Sequence, residues 1–196
     1  VSSGGLRWTP DLFEAFRARY GYDLRDQLPA LHEEVGDWKR VRHDYFALLN
    51  DMFVDRWAKP WSRYCDEKGI SWTGHYWEHS WPNVTGVIDN MSMAAWQQTP
   101  GIDMLCNQFN EKDVHAQFGN IRSVKEVRSI ANQLGRQRVL SETYGAAGWE
   151  ATFKDMKRLA DWQMVLGVNL VNQHVGHMSL DGVRKFDYPP MFTRAA

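Results

Sequence analysis

Cysteine is scarce: only Cys65 and Cys106 occur in 196 residues. Two thiols make no disulfide framework, and their spacing suits no metal; both are expected as buried free thiols. Neither sign of charge is in excess, with 23 basic against 24 acidic side chains and a net charge of −1. That balance gives no field to steer the chain towards nucleic acid or anionic lipid. No apolar run approaches the roughly 18 residues that a membrane helix needs, so no membrane partner is expected. No N-terminal stretch reads as a signal peptide. The chain begins at Val1 without a methionine, which reads as a cut end from which an upstream signal could be missing. There is no Gly-Xaa-Ser-Xaa-Gly elbow, no Gly-rich phosphate loop and no helix with paired zinc-binding histidines. No internal repeat or low-complexity tract appears.

Aromatic residues, by contrast, are plentiful: ten Trp, seven Tyr and nine Phe, or 13% of the chain. Trp72, Trp77, Trp81, Trp96 and Trp149 fall near expected loops. A single Trp is most simply a core residue. Three in ten residues, from Trp72 to Trp81, are harder to place in a core, and flat aromatic faces are what sugar rings stack against.

The periodicity predicts mixed α/β structure. Thr9, Pro10 and Asp11 mark a helix start. Leu12, Phe13 and Phe16 give its apolar face up to Gly21. Residues 22–29 read as a loop or turn, ended by Pro29. A long helix is expected over 41–68, with Tyr45, Leu48, Leu49, Met52, Phe53 and Trp57 at helical spacing. Pro60 should interrupt it and Gly69 stop it. Strands are expected over 70–76, 101–106, 138–142 and 168–174. Between them, Ser123 is read as the cap of a helix closed by Gly135, and a further helix starts near Thr152 and ends at Gly167. Short strands alternating with helices make βα units on a parallel sheet. Four strands fall short of a complete eight-stranded barrel, which takes about 250 residues. The expectation is therefore an α/β fold, the second half of a (β/α)8 TIM-type barrel, as a fragment of a larger enzyme. Residues 1–196 would form one partial catalytic barrel domain, with a helical lead-in over 9–68 and βα units over 70–190.

The sharpest chemical signal is Val139-Leu140-Ser141-Glu142-Thr143-Tyr144-Gly145, an apolar strand running into a carboxylate and then an aromatic loop. In parallel α/β folds the carboxyl ends of strands form the active-site face. Cleavage of a glycosidic bond needs two carboxyl groups, one to protonate the leaving oxygen and one to attack or to activate water. Glu142 is the first candidate and Glu78, after the expected strand at 70–76, the second, with His75 and His79 able to position it. Asp103 is the runner-up. Trp77, Trp81, Tyr144 and Trp149 are candidate sugar platforms. On the last strand, alternation sends Asn172 and His174 to one side, where they can bind hydroxyl groups. For each of these residues a purely structural role is the competing interpretation.

The stretch from Val124 to Pro190 resembles the catalytic-domain end of glycoside hydrolase family 106, the α-L-rhamnosidase-like enzymes. The carrying residues are Ala131-Asn132-Gln133-Leu134-Gly135, Leu140-Ser141-Glu142-Thr143-Tyr144 and Gly148-Trp149. They continue with Lys157-Arg158-Leu159-Ala160-Asp161-Trp162 and Gly167-Val168-Asn169, ending near His174. Before it, the match is one of outline, through Tyr22-Asp23-Leu24, Leu28-Pro29, Asp44-Tyr45 and Gly69-Ile70. The resemblance implies a (β/α)8 barrel that removes terminal α-linked L-rhamnose or a related sugar from plant-type glycans. It also implies inversion by two Glu residues, with Glu142 as the base and Glu78 as the acid. The implied substrate is carbohydrate, and the implied remainder of the enzyme belongs to the same polypeptide. No organic cofactor is expected, calcium near the site is implied by the resemblance alone, and a secreted or periplasmic bacterial location is expected. Two rivals stand beside this reading: a retaining β-galactosidase-like barrel with Glu142 as nucleophile, and a non-catalytic carbohydrate-binding barrel.

Overall fold

The structure, a computed structural model, describes residues 5–76, 78, 88–105, 114–145, 147, 151–174 and 181–182, with backbone alone for 114–120. Helix α1 (Leu12–Tyr20) buries Leu12 and Phe16 and stops at Gly21, whose left-handed backbone (φ 78°) lets its N–H reach the Arg17 carbonyl. Asp11 precedes the helix but does not cap it by side chain. Its carboxylate instead takes two hydrogen bonds from Arg56, which hold it down to about 2.

Residues 22–29 form the expected turn, but a helix restarts before Pro29. Asp23 accepts the Arg25 N–H (2.9 Å) and starts a 3-10 turn, Leu24–Gln27. Pro29 then sits in the first turn of α2 (Leu28–His32). There a missing N–H costs nothing, so the proline opens a helix as well as closing the turn.

The long helix is present as three continuous pieces: α3 (Trp38–Phe53), a π-helical turn (Val54–Ala58) and α4 (Lys59–Lys68). Pro60 cannot donate to the residue a turn earlier, and its ring crowds that carbonyl. The widened turn just before it absorbs the conflict without breaking the axis. Gly69, at φ 64°, ends α4. Val41, Tyr45, Leu48, Leu49 and Met52 of α3 pack with Leu12 and Phe16 into one apolar cluster. Cys65 is a buried free thiol on α4, as expected, and Cys106 lies outside the described residues.

Residues 70–76, expected as a strand, form none. The segment runs beside the sheet, held by one backbone bond, from the Thr99 N–H to the Trp72 carbonyl (3.2 Å), and by amide side chains. Gln98 accepts the Trp72 N–H (3.0 Å), and Gln97 donates to the Gly74 carbonyl (3.0 Å). Gln98 also donates to Asp66 of α4 (2.8 Å). Helix α5 (Asn90–Ala94) leads into these two glutamines.

The described residues form a three-stranded parallel sheet, β1 (Gly101–Met104), β2 (Leu140–Thr143) and β3 (Leu170–Gln173), in that order. Helix α6 (Val114–Gln133) connects the first pair and α7 (Phe153–Leu166) the second. Ser123 lies inside α6 and is buried there, rather than at its start; a serine before an apolar run reads as a cap only if no turn of helix precedes it. The expected start of α7 is met in full. Thr152 accepts the Asp155 N–H (3.2 Å) while Asp155 accepts the Thr152 N–H (3.0 Å).

Pleating sorts the sheet into two faces. Ile102 and Met104 pack with Val124 and Val127 of α6 and Leu159 of α7, and Gln163 of α7 donates to the buried Thr143 hydroxyl (2.9 Å). That face is the core. The other carries the polar residues.

Candidate active site

The strand register places Asp103, Glu142 and Asn172 side by side, one on each strand and each in the third of four positions. Residues paired across a parallel ladder share a face. The three therefore form a polar row near the carboxyl ends, on the face opposite α6 and α7.

His75 reaches this row from the segment beside β1. Its Nε2 lies 3.8 Å from Glu142 Oε2 and 4.0 Å from Asp103 Oδ2, while its Nδ1 lies 3.9 Å from Glu78 Oε2. One imidazole thus stands among three carboxyl groups. The His75 and Glu142 side chains are each about one-third exposed, at 34% and 32%. Both are open to a bound molecule while retaining part of the protein's low dielectric.

Glu78 differs from the other two. It is 3% exposed. One of its oxygens accepts the Tyr76 N–H at 3.1 Å and the other the Asp103 N–H. Burial pushes its carboxyl above the ordinary range, against the pull of His75 and the backbone donors. Behind it, Arg122 of α6 donates to the Glu78 carbonyl (2.9 Å) and pairs with Glu126 one turn on (3.1 Å). Burial lowers the Arg122 guanidinium and raises the Glu126 carboxyl. Their i,i+4 spacing was visible in the sequence; their place under Glu78 was not.

Tyr144, expected as a sugar platform, is 5% exposed and packs in the cluster between sheet and helices. Its backbone is left-handed, with φ 75°. A bulky residue adopts that conformation only at a cost, and it directs the ring into the core as the chain leaves β2. His174 follows β3 directly, its N–H donating to the Thr143 carbonyl (3.0 Å). Trp77, His79, Trp81 and Trp149 lie outside the described residues.

One aromatic residue beside His75 was passed over in the sequence. Tyr76, beside His75, meets Trp72 edge-on at 6.4 Å and Phe53 of α3 edge-on at 6.1 Å. Burial raises its hydroxyl to about 12. Phe53, Trp57, Trp61 and Tyr64 continue from it along one side of the long helix, with ring centroids 5.6–6.4 Å apart. Their four- and three-residue spacing was the available signal.

Calcium does not fit the described residues. It takes about six to eight oxygen ligands at roughly 2.3–2.6 Å, and among the described residues no group of three His, Cys, Asp or Glu side chains is arranged to hold a metal. The oxygens of Glu78 are spent on backbone donors, and Asp103 and Glu142 converge on an imidazole. No helix among the described residues is long and apolar enough to cross a membrane.

A family model described as alpha-L-rhamnosidase, glycoside hydrolase family 106, matches residues 1–184. Among solved structures, the rhamnosidase from Novosphingobium sp. PP1Y superposes with a TM-score of 0.64 at 26% sequence identity. The match covers 86% of this chain and 16% of that one. No curated protein matches the sequence.

Proposed function

This chain belongs to glycoside hydrolase family 106, the α-L-rhamnosidases, and from that premise we propose that it supplies part of the active site of an enzyme that hydrolyses terminal α-L-rhamnosides of plant-type glycans. In this reading residues 1–196 are one partial catalytic barrel domain, the second half of a (β/α)8 barrel, completed by the rest of the polypeptide. The observation that carries the proposal is the convergence of Asp103 and Glu142, from paired positions on neighbouring strands, on Nε2 of His75.

Glu142 is the general base. It is the most open carboxylate of the group and stands near the carboxyl end of the central strand. Asp103 is the partner that protonates the leaving oxygen. Since both reach one nitrogen, at 4.0 and 3.8 Å, their oxygens are separated by no more than the sum of those distances. That limit admits the lower part of the roughly 6.5–9.5 Å of an inverting pair and also the about 5 Å of a retaining pair. Inversion rests on the family. His75 sets the spacing of the two carboxylates, and Asn172 offers an amide to a sugar hydroxyl.

In a second reading Glu78 is the acid. Burial pushes its carboxyl above the ordinary range, which favours the protonated form that a general acid needs. Its burial and its two backbone donors favour a role as a clamp on the segment carrying His75.

The two readings separate by leaving group, measured on the whole protein with α-L-rhamnosides. A variant lacking the acid loses least on an activated aryl leaving group, which needs little protonation, and most on an unactivated alkyl one. Asp103→Asn should show that dependence, with Glu78→Gln slowing both substrates alike. The reverse pattern makes Glu78 the acid. Wild-type turnover of both substrates by Glu142→Gln would sink the proposal as a whole.

A further inference from the structure

His75 belongs to a segment that forms no strand and whose backbone bond to the chain before β1, from the Thr99 N–H to the Trp72 carbonyl (3.2 Å), lies three residues away; yet its imidazole lies within about 4 Å of three carboxyl groups. Something else has to hold its backbone. On its C-terminal side that is Glu78, which joins the Tyr76 and Asp103 N–H groups. On its N-terminal side it is Gln97. This side chain is fully buried, at 0% exposure. Its Nε2 donates to the Gly74 carbonyl at 3.0 Å, and its Oε1 accepts the Gly101 N–H at 3.0 Å. One amide therefore stands in for a missing ladder rung between the segment and β1. Gly74 is the immediate neighbour of His75, and Gly101 lies two residues before Asp103, so little slack separates the clamp from the groups it aligns.

The fit is close on the other side as well. A Cβ on Gly101 would lie 2.7 Å from Thr73 Oγ1 and 2.8 Å from the Gly74 carbonyl oxygen. The segment approaches β1 at a point where only glycine admits it.

We propose that Gln97 is a positioning residue of this site: its amide fixes the backbone of Gly74 at the distance from β1 that sets His75 between Asp103 and Glu142. It acts through Gly74 and Gly101 and contacts none of the three carboxyl groups. The inference rests on the rhamnosidase reading for its kinetic consequences, but its geometric content stands apart.

The test uses two variants in the whole protein. Gln97→Met removes both hydrogen bonds at similar volume. Gln97→Glu keeps an acceptor for the Gly101 N–H and loses the donor to Gly74. Two readouts are followed: kcat and KM for an aryl α-L-rhamnoside, and the NMR chemical shift of the His75 imidazole. In the folded Gln97→Met variant, kcat should fall by at least about tenfold with KM nearly unchanged, since a misplacement of about 1 Å can cost on the order of a hundredfold. The His75 resonance should move with it, and Gln97→Glu should fall between the two. A merely structural glutamine would lower the melting temperature and leave kcat of the folded fraction and the His75 shift as in wild type, which overturns the proposal. If Gln97→Met does not fold, Gln97→Glu carries the test alone: an unchanged His75 shift and kcat in that folded variant, which lacks the amide donor to Gly74, overturns the proposal. If the wild-type protein does not turn over the rhamnoside, the functional reading fails while the His75 shift still decides the positioning role.

Discussion

Asp103 and Glu142 occupy paired positions on adjacent parallel strands and both direct an oxygen at Nε2 of His75, at 4.0 and 3.8 Å. Two carboxylates on one face repel unless something stands between them. The imidazole is placed to do that, and it joins the row into one group of neighbouring side chains.

Glu142→Gln keeps the shape of the side chain and removes its basicity. Turnover of an aryl α-L-rhamnoside should fall by at least about a hundredfold, the low end for loss of general acid–base catalysis. Thermal stability should change little or rise, because relieving charge crowding at a functional site favours the fold. A drop in stability of a few kcal/mol with turnover preserved would instead mark a structural ion pair.

Glu78 has a folded-state pKa above its ordinary value. For a carboxyl the sign follows directly. The proton is bound more tightly in the folded state, so the stabilisation is present below the ordinary carboxylate pKa and is lost as pH rises through the folded one. Glu78→Gln replaces one oxygen acceptor by a donor facing a backbone N–H, at a cost of about 1–3 kcal/mol. The melting-temperature gap between wild type and this variant should therefore be widest at acidic pH and narrow as pH rises. Glu126 is also raised, chiefly by burial, and that part is common to both proteins and cancels in the difference. A gap that widens with pH would contradict the assignment.

Gly167 ends α7 at φ 123°, and a Cβ there would lie 2.6 Å from Cγ and 2.7 Å from Cδ of Arg128. Gly167→Ala combines backbone strain with overpacking against α6, each of about 1–3 kcal/mol. Chemical denaturation should show the loss, and kcat of the folded fraction should be unchanged. A stable Ala variant would mean that α6 moves freely against the end of α7.

Thr152→Ala removes one half of the reciprocal cap of α7. A loss of about 1 kcal/mol is expected. Activity per folded molecule should be untouched, since the cap lies on α7, the layer opposite the polar row. A kinetic effect without a stability effect would place this end of α7 in contact with the site.

What could be read from the sequence is what neighbours along the chain decide. The glycine stops at Gly21, Gly69 and Gly167, the start at Thr152 and the strand ending in Glu142 all depend on contacts within a turn or on alternating burial, and both leave a pattern in consecutive residues. The strand-end positions of Glu142 and Asn172 were legible too, since each ends an apolar run, whereas Asp103 lies inside one.

Tertiary structure alone decided the rest. Residues 70–76 alternate like a strand, but two glutamine side chains take most of the hydrogen bonds a neighbouring strand would have taken, and no local pattern marks a glutamine for that use. Glu78 reads as an open strand-end carboxylate until the β1 backbone is seen to cover it. Tyr144 reads as a loop aromatic until one left-handed residue turns its ring inward. In each case the deciding contact joins residues distant in sequence. Its strength comes from excluding water around a buried polar group, a property of the packed assembly rather than of any stretch of chain.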